Sequence, residues 1–104
     1  MAETDTLIQQ MQGRAGALHS LGYRVLFELT DSGEAILLDG TEGGAIEAAA
    51  PGTEADSTLR LSSDDLAKLI AGRLSPMLAF STGRLRVDGS KGVAMKLASL
   101  LDED

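Results

Sequence analysis

Five groups of residues are of the types from which chemistry is made. They are His19, the pair Asp64-Asp65, the acidic run Asp102-Glu103-Asp104, the glycine-rich Gly40-Thr41-Glu42-Gly43-Gly44, and Arg84 with Arg86. A catalytic imidazole needs a nucleophile to activate and a partner to orient it. His19 is the only histidine, there is no cysteine, and no such partner is signalled. Asp64 and Asp65 follow Ser62-Ser63 and precede an apolar stripe, which is how a helix start reads: a hydroxyl for the orphan amides, then carboxylates against the positive end. The acidic run at 102–104 reads as a solvated tail. The glycine-rich stretch has no lysine and leads toward a strand, so it lacks the phosphate-loop pattern and reads as a hairpin turn. Arg84 and Arg86 fall on one face of a short strand, where pairing with nearby acids is the simplest reading. These residues call for no covalent chemistry, no metal and no organic cofactor, and the expectation is that the chain is not an enzyme.

The remaining chemistry is apolar. The chain of 104 residues is 43% apolar and 24% charged, a globular balance, and its length suits a single domain spanning 1–104. Its only aromatics are Tyr23, Phe27 and Phe80, so the core must be built from Leu, Ile, Val, Met and Ala. A net charge of −7 disfavours nucleic acid and anionic lipid surfaces. No apolar run approaches the length of a membrane span, so stable membrane insertion is not expected. The polar, acidic beginning is unlike a signal peptide, and the end is unlike a peroxisomal address. A cytoplasmic location is the expectation. A protein partner or a homodimer is compatible with the sequence.

Periodicity assigns the elements that would position the apolar surface. Leu7, Ile8, Met11, Ala15 and Leu18 share one face of a helix over residues 3–20, although Gly13 and Gly16 each weaken it by about 1 kcal/mol relative to Ala. Tyr23 to Thr30 alternates as a strand with one buried face. Ala35 to Asp39, apolar on both faces, follows the Asp31-Ser32-Gly33 turn, and Ala45 to Ala50 is a weak third strand. Thr58 to Leu61 alternates again. Leu66, Leu69 and Ile70 then form a helical stripe that Gly72 can end, and Pro76 starts a second short helix bearing Met77 and Phe80. Leu85 and Val87 give the inner face of a strand over Arg84–Asp88. Ser90 can cap a last helix, whose stripe is Val93, Ala94, Leu97, Leu100 and Leu101. Grouped strands flanked by helices indicate an α+β fold with a mainly antiparallel sheet. The fifth strand, coming after a helical crossover, is expected to lie parallel to a neighbour.

This order of pieces resembles the sterol carrier protein, or nonspecific lipid-transfer, domain family. The residues that carry the resemblance are Leu59-Arg60-Leu61-Ser62, Leu66 through Gly72-Arg73-Leu74-Ser75-Pro76, Ala79-Phe80, Gly83-Arg84-Leu85-Arg86-Val87-Asp88-Gly89 and Ala94-Met95-Lys96-Leu97. The first half matches more loosely, as a helix followed by hairpins. The resemblance implies a compact, stand-alone, bacterial-type member. In it a five-stranded sheet would be covered on one face by an N-terminal helix, two short central helices and a C-terminal helix, with an apolar tunnel between sheet and helices. Matching by position gives Leu66, Ile70, Leu74, Met77, Phe80, Met95 and Leu97 as candidate lipid-binding residues. Met95 lies off the main stripe of the last helix, and methionine adapts well to varied chains. With few aromatics and a third strand that is mostly alanine, the lining suits a flexible acyl or isoprenoid chain better than stacked rings. The implied function is binding, and intracellular transfer, of a lipid. The rival is a non-catalytic accessory module for a larger enzyme or for isoprenoid-quinone biosynthesis.

Overall fold

The computed structural model describes residues 2–13, 22–40 and 45–102. Helix α1 (Ala2–Gln12) leads into three strands, β1 (Arg24–Leu29), β2 (Ala35–Asp39) and β3 (Ala45–Ala49). Then come β4 (Ser57–Leu61), helices α2 (Ser63–Ile70) and α3 (Pro76–Ser81), β5 (Arg86–Gly89) and α4 (Lys91–Asp102). His19, Ala15, Gly16, Leu18 and most of the 40–44 turn lie outside the described residues.

The strands form one sheet in the order β3-β2-β1-β4-β5. Three pairings are antiparallel, and β1 with β4 is parallel, with Phe27 opposite Leu59. The parallel pair is therefore not the one the sequence suggested: β5 runs antiparallel to β4. A single crossover helix would carry the chain to the far end of the sheet. Here two short helices, broken at 71–75, leave from one end of β4 and return to that same end, where Arg60 faces Arg86. The parallel pair arises because residues 50–56 carry the chain back across the sheet from the outer edge at β3. On the way the Gly52 N–H donates to Glu28 Oε2 at 3.0 Å, so this strap crosses the sheet's outer face. Leu26 and Ala35 are fully buried on that same face.

The helices cover the opposite face, where Val25, Phe27 and Leu29 of β1, Ile36 and Leu38 of β2, and Leu59 and Leu61 of β4 make the floor of the core. Leu7 and Met11 of α1 seal one side of it. Ser62 caps α2, its side chain accepting from the Asp65 N–H at 3.1 Å. One device ends both central helices. Gly72 and Gly83 take positive φ, and the following Arg73 and Arg84 amides reach back to Lys68 O and Ala79 O at 2.8 and 2.9 Å. Leu85 N–H also donates to Ala79 O, so Arg84 and Leu85 belong to the end of α3, and β5 starts two residues later than alternation suggests. Gly89 closes β5 where no side chain fits, since φ is +85° and a Cβ would sit 2.8 Å from Asp56 O. Ser90 Oγ then accepts from the Val93 N–H and starts α4.

Candidate functional site

A cleft of about 250 Å³ opens where α3 and α4 meet the β4–β5 edge of the sheet. Its floor is Leu59 and Val87, opposite each other across β4 and β5, with Leu85 beside them. One wall is Pro76, Met77 and Phe80 of α3, with Leu69 of α2 behind. The other wall is α4, which contributes Lys91, Ala94, Met95, Leu97 and Ala98. The lining is apolar apart from Lys91. The cleft exists because its walls are short or slight: α3 has only six residues, and α4 turns alanines toward the gap.

Local sequence explains why this end stays open. Pro76 starts α3 without needing an amide partner, and Gly83 stops it after less than two turns. Met77, Phe80 and Met95 are 50%, 49% and 54% exposed at the rim, and Leu78 is similarly exposed beside them. Several half-bare large apolar side chains close together are unusual on a monomeric surface.

The positions singled out from sequence divide into two groups. Met77, Phe80, Met95 and Leu97 come together on the cleft. Leu66, Ile70 and Leu74 do not line it. They are buried in the core, the first two on α2, which packs against α1. Sequence reasoning did not single out Leu59, Leu69, Pro76, Leu85, Val87, Lys91, Ala94 or Ala98 as lining. A readable signal was present in α4: Lys91, Ala94, Met95 and Ala98 stand at i, i+3, i+4 and i+7, a stripe adjoining the Val93–Leu97 one.

Apart from Lys91, a network of ionic groups lies away from the cleft, on the outer face of the sheet. Arg60 Nε–H donates to Glu28 Oε1 at 2.9 Å, and Arg60 Nη1 meets Asp88 Oδ2 at 2.5 Å, bridging three strands. The bond from Arg60, helped by the Gly52 amide, holds the Glu28 carboxyl below its ordinary value, and the same bond to Glu28 raises the Arg60 guanidinium above its own. Arg84 and Arg86 are exposed, and neither makes an ion pair among the described residues. Glu28, Arg60 and Asp88 fasten strands, and none of these five residues lines the cleft.

Comparison with known proteins decides the lineage. The pattern of the SCP-2 sterol transfer family matches residues 4–102. The chain belongs to that family. Family membership carries lipid binding and transfer as a general function. The chain is 35% identical over 79 residues to hydroxysteroid dehydrogenase-like protein 2 of Bos taurus, covering 74% of this chain but 19% of that protein. It thus spans about a fifth of the length of these curated relatives. Among solved structures, the sterol carrier protein domain 2 of Helicoverpa armigera superposes with a TM-score of 0.70 at 27% identity, covering 94% of this chain and 81% of that one. The palmitated SCP2L2 of Aedes aegypti superposes at 0.73 with 18% identity, covering 95% and 94%. The α+β fold with a five-stranded mixed sheet is that of these domains. Among the described residues, no helix is long and apolar enough to cross a membrane.

Proposed function

We propose that this domain holds one flexible aliphatic chain, acyl or isoprenoid, in the cleft between α3, α4 and the β4–β5 edge, and that Met77, Phe80, Met95 and Leu97 form part of its lining. The observation that carries this reading is an apolar cleft whose large rim residues are left half-exposed. At roughly 30 Å³ per methylene, taken as the volume of a liquid water, the cleft accepts about eight carbons, and a longer chain would project from it. Each buried methylene contributes about 0.8 kcal/mol, so eight give about 6 kcal/mol, a dissociation constant of tens of micromolar. No bond need be made or broken: the domain shields the chain from water and releases it. A palmitated structure of a protein with this fold supports a chain-like ligand. The test is displacement of a fluorescent fatty acid, together with native mass spectrometry of gently purified protein. Displacement at tens of micromolar, or a copurifying lipid, is expected. Failure of both overturns the reading.

A second reading has one observation in its favour. The matched region is a small part of hydroxysteroid dehydrogenase-like relatives, so the domain would present its chain to a catalytic partner, as an accessory module does. An enzyme that copurifies stoichiometrically would support it.

A further inference from the structure

One residue of this apolar cleft carries a charge. Among the described residues Lys91 is the single charged one in the lining; it is the first residue of α4, and Ala94, Met95 and Ala98 continue its stripe. From Lys91 to Ala98 the helix rises about 10 Å, at about 1.5 Å per residue. Lys91 is exposed and has no ion-pair partner among the described residues, whereas Arg24, Arg60 and Lys68 each meet a carboxylate. An uncompensated ammonium at the end of an apolar trough of this length complements an amphiphile with an anionic head.

Resting on the chain-binding reading above, we propose that Lys91 holds the carboxylate of a bound fatty acid and so selects acids over neutral chains of the same length. A carboxylate fits better than a phosphate because one ammonium balances one charge. A dianionic head would leave excess negative charge on a protein whose net charge is already −7. That net charge does not forbid the anion. Among the described residues no acidic one lines the cleft, and fields from charges beyond about 8 Å are largely screened at physiological salt, so the nearest cation governs. The lysine stem can lie along the apolar wall while its head stays at the opening.

The experiment titrates decanoate and 1-decanol against the full chain and against Lys91→Gln and Lys91→Arg, all by displacement of a fluorescent probe. Decanoate should lose about three- to fivefold in affinity in Lys91→Gln, the range of an exposed ion pair, and should keep its affinity in Lys91→Arg. Decanol should bind all three proteins alike. If both ligands bind and Lys91→Gln leaves decanoate unchanged, the proposal is overturned while the chain-binding reading stands. If Lys91→Gln weakens both ligands equally, Lys91 acts only as wall and the proposal is again overturned. If neither ligand binds the unaltered protein, the chain-binding reading itself fails.

Discussion

Where α1 meets α2, the apolar stripes close on one another, and where α3 meets α4 they do not. At the first end Leu7, Met11, Leu66 and Ile70 are all buried against the sheet. At the second, helices with the same kind of periodicity leave a cleft with Met77, Phe80 and Met95 half-bare around it. Bulk and length separate the two. The closed end has leucine, isoleucine or methionine at its contacts, on helices of eight residues or more. The open end sets Ala94 and Ala98 against a six-residue helix. A core and a binding cleft are thus written in the same pattern, and side-chain volume decides which one results.

The sharpest way to break this contrast is to damage the closed end. Leu66 is fully buried and does not line the cleft. Leu66→Ala should cost about 2–5 kcal/mol by leaving a cavity. That lowers the urea midpoint strongly, while the molecules that remain folded bind a fluorescent fatty acid with unchanged affinity. If affinity fell in step with stability, the two ends would be one cooperative unit and the distinction would lose its meaning. The opposite experiment fills the open end. Ala98→Leu places about three extra carbons in the cleft, displacing as many ligand methylenes, for a loss of about 2 kcal/mol or roughly thirtyfold in affinity. Folding stability should hold or rise slightly, because the new side chain enters a void rather than a packed core. Thermal denaturation and probe displacement on the same sample check both halves.

The same contrast marks what the sequence makes legible. Elements whose signals are local are readable: β2 has the bounds its apolar run indicates, and Ser62, Gly72, Pro76 and Gly83 stand at the helix ends that their chemistry favours. Features set by distant parts of the chain are not. Alternation extends β5 back to Arg84, but the backbone there is taken by the carbonyl of Ala79, a competition that the pattern of side chains does not register. The parallel pairing of β1 with β4 depends on the strap at 50–56 crossing the outer face, and nothing in those seven residues names the face. In the candidate site, periodicity marks Leu66 and Met77 alike as apolar helical positions. Only the summed volumes of facing side chains seal one and leave the other at an opening. The spacing of Lys91, Ala94 and Ala98 is readable in the sequence, but the gap beside them is not.

The smallest expected effect concerns the pin that holds the closed end shut. Asp31, in the turn after β1, accepts two bonds from the first residue of α2: the Ser63 N–H donates to Oδ1 at 3.0 Å and the Ser63 hydroxyl to Oδ2 at 2.5 Å. Ser63 is itself buried, so its hydroxyl has little access to water if the carboxylate goes. The Ser63 side-chain bond, then its backbone bond, hold the Asp31 carboxyl below its ordinary value. A carboxyl depressed in the folded state takes up its proton more readily when unfolded, so its contribution is complete above the ordinary carboxylate value and is lost as pH falls through the folded one. Asp31→Ala should therefore cost about 1 kcal/mol at neutral pH, and the gap between variant and parent should narrow as pH falls below about 4. The comparison must be made as a difference between the two proteins, because Glu28 is depressed in both and lowers their stability together in acid. Chemical denaturation across that range reads it directly. A gap that does not change with pH would mean that the pin works without its charge. A loss of chain affinity in Asp31→Ala would mean that the closed end and the open end are mechanically coupled through α2.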